Sequence, residues 1–178
     1  MNRLFQHSVV VLFALLFAVS PLVLAWAAEQ PDAAQREYER GVALLRKGDL
    51  AAASEATRKA IELSPSSADA HHLLGMIAFK ERKPDQAVES FLHALKLKPA
   101  YPEALNDLAE VYRIQGKSAE AEQALKRVIE IDPKHADSYF DLARLYEQRR
   151  DVAAATRVYR SLLTVHPSHR GALYNLTL

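Results

Sequence analysis

A period of 34 residues runs through most of the chain, and it constrains the fold more than any other feature. Four prolines mark this period without drift: Pro65, Pro99, Pro133 and Pro167. A fixed period of this size is typical of solenoids, in which one supersecondary unit stacks on the next. The period divides the chain into four blocks and a partial fifth, at residues 34–67, 68–101, 102–135, 136–169 and 170–178.

Small residues recur in register with the prolines, at two positions of every block. These residues are Gly41, Gly75, Ala109 and Ala143 at the first position, and Ala53, Ala87, Ala121 and Ala155 at the second. Glycine and alanine allow the backbones of two elements to approach closely. We therefore expect these positions to lie where two helices make contact.

Each block contains two stretches with helical spacing of apolar residues. In the third block, Leu105, Leu108 and Tyr112 follow this spacing, and Leu125 and Val128 repeat it further along. Turn residues separate the two stretches in each block. Every block is therefore predicted to form an antiparallel helical hairpin, and the chain is predicted to be all-α.

The turn inside each hairpin has a glycine in only half of the blocks. Gly48 and Gly116 occupy this position in the first and third blocks, whereas Arg82 and Arg150 occupy it in the second and fourth. Glycine that follows a helix commonly adopts the left-handed conformation. If the two arginines adopt this conformation as well, it costs about 1 kcal/mol for each of them.

Prolines and capping residues predict where the helices end and begin. Pro99 ends the second helix of its block, because proline lacks an N–H and disfavours helical geometry in the residue before it. Pro102 suits the first turn of the next helix, where an N–H would be unpaired. Ser67 precedes the first helix of the second block, and Asp32 and Gln35 form a capping-box pattern before the first block.

Together, the period, the small residues and the prolines resemble the tetratricopeptide repeat (TPR) family over residues 34–178. The second block matches the family pattern through Leu74, Gly75, Ala78, Ala87, Phe91, Ala94 and Pro99. The resemblance implies an α-α superhelix of stacked hairpins, a TPR solenoid, preceded here by a signal or anchor helix. The first block has Glu37, Arg40 and Thr57 where apolar residues are usual, and we interpret it as a polar cap.

In this family, the first helix of each hairpin lines an inner, concave face. The resemblance implies a partner-binding groove lined by Tyr38, Val42, His72, Met76, Phe79, Asn106, Glu110, Arg113, Phe140, Arg144 and Glu147. Apolar residues dominate the first two blocks and charges of both signs dominate the last two, which favours an amphipathic peptide or helix as the partner. For Tyr38, Met76, Phe79 and Phe140, packing inside the protein is the alternative interpretation.

The N-terminal residues have the layout of a secretory signal. Arg3 precedes an uncharged run at residues 4–28, and Ala25 and Ala27 provide small residues for cleavage after Ala27. We therefore predict a signal peptide at residues 1–27, a linker at 28–33 and a periplasmic location. The alternative is an uncleaved inner-membrane anchor with the TPR domain facing the periplasm, because about 20 apolar residues suffice to span a bilayer.

Composition argues against several other functions. The chain has 23 Lys and Arg against 22 Asp and Glu, so it lacks the positive excess that nucleic-acid binding requires. It has no cysteine, and its histidines lack the spacing of a metal site: His71 and His72 are adjacent, and His166 and His169 lie in a turn. Because no catalytic constellation is present, we predict neither an enzyme nor a cofactor.

The resulting prediction is a non-catalytic interaction scaffold of the bacterial periplasm or envelope. The resemblance implies support of an envelope assembly such as a pilus, a secretion system, polysaccharide export or cytochrome maturation. The alternatives are a small-ligand or metal carrier, and a protein that self-associates through residues 170–178. In that segment, Ala172, Leu173 and Leu176 are expected to cover the last hairpin, and Tyr174 and Leu178 to lie near solvent.

Overall fold

The computed structural model describes residues 33–176, which form nine α-helices and no strand. They are α1 (Ala33–Lys47), α2 (Leu50–Leu63), α3 (Ala68–Lys80), α4 (Pro84–Leu97), α5 (Pro102–Ile114), α6 (Ser118–Ile131), α7 (Ala136–Gln148), α8 (Val152–Val165) and α9 (Arg170–Asn175). The all-α prediction is confirmed. The predicted signal peptide or anchor, the linker up to Asp32 and the terminal Leu178 lie outside the described residues.

The helices pack in antiparallel pairs, and the pairs stack in chain order. Hairpin 1 is α1 with α2, hairpin 2 is α3 with α4, hairpin 3 is α5 with α6, and hairpin 4 is α7 with α8. Each second helix also packs on the first helix of the next hairpin, and α9 packs on α8. The first helices form a layer of their own, in which α3 contacts both α1 and α5. This arrangement is the predicted TPR solenoid.

All four turns inside the hairpins contain a residue in the left-handed conformation. The φ angles are 82° at Gly48 and 74° at Gly116, and they are 60° at Arg82 and 58° at Arg150. A side chain in this region of φ is disfavoured, so both arginines occupy positions that suit glycine better. The identical turn geometry keeps the register, since α2, α4, α6 and α8 each begin 34 residues after the one before.

Helix ends follow the prolines and caps. The second helix of each hairpin ends two residues before a repeat proline, as α4 does at Leu97 before Pro99. Pro102 is the first residue of α5, as predicted. The Ser67 hydroxyl accepts a hydrogen bond of 3.2 Å from the Ala70 N–H and so caps α3. The predicted capping box at Asp32 lies outside the described residues.

The repeated small residues are buried where the two helices of a hairpin meet. A Cβ added at Gly75 would lie 2.5 Å from the ring of Phe91, which is closer than any atom tolerates. In hairpin 3, Ala109 and Ala121 belong to one buried cluster with Leu125, the residue that corresponds to Phe91. In hairpin 2, the position of the Phe91 ring thus requires glycine at residue 75, whereas Leu125 in hairpin 3 and Tyr159 in hairpin 4 pack with alanine at the corresponding position.

The polar residues of hairpin 1 are satisfied locally. Thr57 is fully buried, and its hydroxyl donates a hydrogen bond of 2.7 Å to the Ala53 carbonyl. Glu37 lies 3.1 Å from the Lys59 ammonium and 3.4 Å from the Arg40 guanidinium. The hydrogen bond with Lys59 contributes most to lowering the pKa of the Glu37 carboxyl. These contacts explain how hairpin 1 tolerates polar residues at positions that are usually apolar.

The short α9 covers one end of hairpin 4, but with fewer residues than expected. Ala172 is fully buried and Leu176 packs against the same cluster, whereas 46% of Leu173 is exposed. The expectation that Leu173 helps to cover the hairpin is therefore wrong. Residues four apart share a helix face, so Ala172 and Leu176 face the core together while Leu173 is turned away from it.

Candidate partner-binding groove

The inner face of the solenoid is formed by the first helices, α1, α3, α5 and α7. All predicted groove residues lie on these helices. Their exposure differs along the face: the nine from Tyr38 to Phe140 are half-buried, and Arg144 and Glu147 on α7 are exposed. That these residues bind a partner stays a prediction.

Apolar side chains form the part of the inner face that belongs to hairpins 1 and 2. Tyr38 and Val42 pack against the buried cluster that includes Leu73. Met76 and Phe79 pack against the next cluster, which is built around Phe91. Each of these four groove residues is half-buried, so part of its surface packs against the core and part stays accessible. That the accessible part lines a partner-binding groove stays a prediction.

His72 links hairpin 2 to hairpin 3. Its Nε2 lies 2.8 Å from an Asp107 carboxylate oxygen, and its Nδ1 lies 3.2 Å from the Tyr101 hydroxyl. The ring also packs against Phe91, and only 12% of the side chain is exposed. Because both ring nitrogens have partners within the protein, a bound segment would find no free nitrogen on His72.

Tyr101 and Tyr38 both lie near Asp69, an acidic residue of α3. Burial raises the pKa of the Tyr101 hydroxyl, and the neighbouring Asp69 carboxylate raises it further. Burial and Asp69 raise the pKa of Tyr38 in the same way. Both phenols consequently remain protonated hydrogen-bond donors at neutral pH.

At the junction of hairpins 3 and 4, Asn106 takes the place that His72 has one repeat earlier. The Ser138 hydroxyl donates a hydrogen bond of 3.2 Å to the Asn106 side-chain oxygen, and it also lies 2.8 Å from Nδ1 of His135. Ser138 is fully buried. Asn106 is thus tied to the start of α7 by a neutral hydrogen bond.

Charged residues follow on α5 and α7. The Arg113 guanidinium donates two hydrogen bonds, of 2.7 and 2.6 Å, to the Glu110 carboxylate. This paired hydrogen bond raises the pKa of Arg113 above its already high value. Because the two charges lie on one helix and neutralise each other, they contribute little net charge to the inner face.

Two aspartates of the inner face were not predicted, namely Asp107 on α5 and Asp141 on α7. They are separated by the repeat length of 34 residues, which is the signal that could have found them. Asp141 is half-buried and lies in a slot with Asn106, Glu110 and Arg113. Burial raises the pKa of its carboxyl, the Glu110 and Asp137 charges add to this effect, and Arg144 and Arg113 oppose it.

Phe140 packs against α8 and against the residues that begin α9. Its ring centroid lies 5.8 Å from that of Tyr159 and 5.2 Å from that of His169. A Cβ added at Gly171 would lie 2.8 Å from the Phe140 ring. Phe140 therefore packs against α8 and the start of α9, and it stays half-buried like the other aromatic residues of the inner face.

A second concave region lies on the outer side, between α2 and α4. It measures about 490 Å³, and the stacked rings of His71 and His93, with centroids 4.8 Å apart, form part of its wall. His71 and His72 point in different directions, since His71 contacts the Pro65 carbonyl and His72 contacts Asp107. Across residues 33–176, the side chains place no three potential metal ligands together.

Stacked helical hairpins with an inner face of this kind define a tetratricopeptide repeat protein. A family model, the TPR domain of cytochrome c-type biogenesis protein H, matches residues 25–171. The chain belongs to this family. Proteins of the TPR-repeat family are typically non-catalytic scaffolds for protein interaction. No curated protein sequence is similar enough to count as a match.

Several solved structures are similar in fold. A MamA protein has 22% identity and a TM-score of 0.74, over 82% of this chain and 79% of that chain. YrrB, described as a TPR protein with an unusual peptide-binding site, has 24% identity and a TM-score of 0.71, over 83% and 76%. PilF of Pseudomonas aeruginosa has 25% identity and a TM-score of 0.71, over 81% and 66%. The likeness to MamA and YrrB shows the fold alone.

The length and hydropathy of the described helices can be compared with those that a transmembrane helix requires. Among residues 33–176, no helix is both long enough and apolar enough to span a bilayer. The predicted anchor alternative concerns residues outside this range, so it stays a prediction.

Proposed function

We propose that this protein is a non-catalytic adaptor of cytochrome c-type biogenesis, which holds a polypeptide segment along its inner face on the periplasmic side of the bacterial inner membrane. The observation that carries the proposal is the match to the TPR domain of cytochrome c-type biogenesis protein H over residues 25–171. The layout of the inner face supports a polypeptide as the ligand, because its apolar and polar parts follow one another along the solenoid.

The apolar part of the inner face offers the main docking energy. Met76 and Phe79 are half-buried against a well-packed cluster, so their exposed sides are held rigidly. Burial of apolar area contributes about 25 cal/mol per Å², and rigid anchors lose little conformational entropy on binding. A helix or extended segment with apolar side chains at one end fits this surface.

A crosslinking experiment tests the polypeptide ligand. A photoreactive amino acid in place of Phe79 is expected to capture a polypeptide in cells that make c-type cytochromes, with the captured chain identified by mass spectrometry. The matched control places the same amino acid at Gln123, an exposed residue of α6. Equal capture at both positions, or capture at neither, would contradict a ligand on the inner face.

The biological role has its own test. Cells that lack the protein are expected to lose haem-bearing c-type cytochromes, and Phe79→Ala is expected to reduce them in part. The Gln123→Ala variant should restore the cytochromes fully. Normal cytochrome levels without the protein would contradict the role in cytochrome c-type biogenesis while leaving a polypeptide ligand possible.

The proposed location rests on the uncharged run at residues 4–28. Spheroplast proteolysis and N-terminal sequencing test it together. We expect the TPR domain to be digested from the outside, with a new N-terminus at Ala28 if the signal is cleaved. Protection from added protease would contradict export.

A further inference from the structure

The junction of α3 with α5 and the junction of α5 with α7 differ in how their aspartates are paired. Asp107 on α5 contacts Nε2 of His72 on α3 at 2.8 Å. Asp141 on α7 occupies the same repeat position 34 residues later, and the residue that corresponds to His72 is Asn106. The histidine partner is therefore missing at the second junction, although the backbone arrangement repeats.

Asn106 does not replace that partner. Its side-chain oxygen accepts a hydrogen bond from Ser138, so the amide is directed by the start of α7. Burial and the charges of neighbouring residues account for the pKa shift of Asp141, with no contribution from a hydrogen bond among residues 33–176. A half-buried carboxylate without a donor is unfavourable, and it favours any cation that reaches it.

The cations that the protein itself places near Asp141 do not neutralise it. Arg113 is held by Glu110 through two hydrogen bonds, of 2.6 and 2.7 Å. Arg144 acts on Asp141 only through its charge, and its side chain is exposed. Glu110 and Asp137 add negative charge next to Asp141. The position thus keeps a net attraction for a positive group that arrives from the inner face.

The size of the slot favours a small cationic group over a large one. The slot lies among α5, α6 and α7, and its apolar side is lined by Ala109, Ala121, Leu125 and Leu145. Its free volume is about 10 Å³, which is room for one water-sized group. An ammonium group has this size, whereas a planar guanidinium is larger.

We propose that Asp141 is a specificity residue of the inner face, and that the slot among α5, α6 and α7 takes the ammonium group of a lysine on the bound polypeptide. This inference rests on the proposed function for the existence of that polypeptide. It also orients the segment: the lysine lies at hairpins 3 and 4, and the apolar side chains lie against Met76 and Phe79.

Peptide binding to the purified full chain tests the inference. The probes are amphipathic helical peptides of one sequence, with apolar residues at one end and a single scanned position that carries Lys, Arg, Gln or Glu. Fluorescence anisotropy at low salt is expected to show one position where Lys binds about tenfold more tightly than Gln, which corresponds to about 1.4 kcal/mol. Arg at that position is expected to bind more weakly than Lys.

Three variants separate a direct contact from general attraction. Asp141→Asn is expected to reduce the preference for Lys over Gln to less than about twofold. Asp137→Asn removes an equal charge from an exposed residue of the same helix, and it should keep most of the preference. Asn106→His supplies Asp141 with the partner that Asp107 already has, so it should remove the preference while circular dichroism confirms folding.

The outcomes separate this inference from the proposed function. If peptides bind but Lys and Gln are equivalent at every position, or if the preference survives in Asp141→Asn, the lysine slot is refuted and the polypeptide ligand stands. If Arg equals Lys, the choice of an ammonium group is refuted. If no peptide of any charge binds, the proposed polypeptide ligand itself is contradicted.

Discussion

The junction between α3 and α5 and the junction between α5 and α7 share one backbone arrangement and differ in chemistry. At the first junction, His72 contacts both Asp107 and Tyr101, and its ring packs on Phe91. At the second, Asn106 has a single neutral hydrogen bond and the aspartate keeps no donor. A repeat protein can therefore use one position for cohesion in one copy and leave it open to a ligand in the next.

The largest expected effect tests cohesion at the first junction. His72→Ala removes a packed ring and leaves the Tyr101 hydroxyl and Asp107 without their partner, so we expect a loss of about 2–4 kcal/mol in the free energy of unfolding. The matched change Asn106→Ala at the second junction should cost only about 1 kcal/mol. Urea denaturation measures both, and equal losses would remove the difference between the junctions.

A second prediction concerns Gly75 and Ala109, the small residues at the same repeat position of hairpins 2 and 3. Gly75→Ala places a Cβ 2.5 Å from the buried Phe91 ring. Overpacking costs about 1–3 kcal/mol and the higher helix propensity of alanine offsets about 1 kcal/mol, so we expect a net loss of up to about 2 kcal/mol in the free energy of unfolding. Ala109→Gly in hairpin 3 is the reverse change, and it should cost about 1 kcal/mol through propensity. A stabilised Gly75→Ala variant would show that Phe91 moves freely.

A third prediction concerns the arginines in the left-handed turns. Replacing them with glycine should raise the free energy of unfolding, by a smaller amount than the losses above. Arg150→Gly relieves a residue with φ of 58° and is expected to raise the free energy of unfolding by about 1 kcal/mol. Arg82→Gly, with φ of 60°, should give the same gain. Thermal denaturation of both variants provides the measurement. A lower Tm in either would mean that the arginine makes contacts worth more than the strain.

The smallest expected effect is the pH dependence that Asp141 confers. Since burial raises the folded-state pKa of its carboxyl, the ionised form opposes folding, and this penalty appears as pH rises through that pKa. Asp141→Asn should therefore raise Tm at pH 7, by no more than about 3 °C, and the gain should vanish below the unfolded pKa of about 3.9. A gain that persists at pH 3, or a loss at pH 7, would contradict an unpaired carboxylate.

The fold was predictable because the same signals occur in every block. Pro99 and Pro102 fix one helix boundary, and the other blocks repeat the information. The register placed Arg82 and Arg150 at the glycine position of the turn, where both have the positive φ that glycine has in the other hairpins. Where four copies agree, a local exception such as an arginine at a glycine position does not alter the assignment.

The pairing of side chains between hairpins was not predictable in the same way. His72 and Asp107 are 35 residues apart, so their contact depends on the stacking geometry rather than on any local pattern. The contact of Tyr101 with His72 was also not predicted. Tyr101 lies one repeat after Ser67, which caps α3, but its own side chain does not cap α5. The prediction that Leu173 faces the core was wrong. A six-residue helix has few apolar residues, and the sequence does not determine which of them is turned toward the core.

The packing of α9 on Phe140 repeats a contact that occurs earlier in the stack. The His169 ring packs on Phe140 as the Tyr101 ring packs on His72, at the same positions two repeats before. The short α9 therefore takes the place of the first helix of a fifth hairpin, and it meets α7 through the kind of contact that joins hairpins 2 and 3.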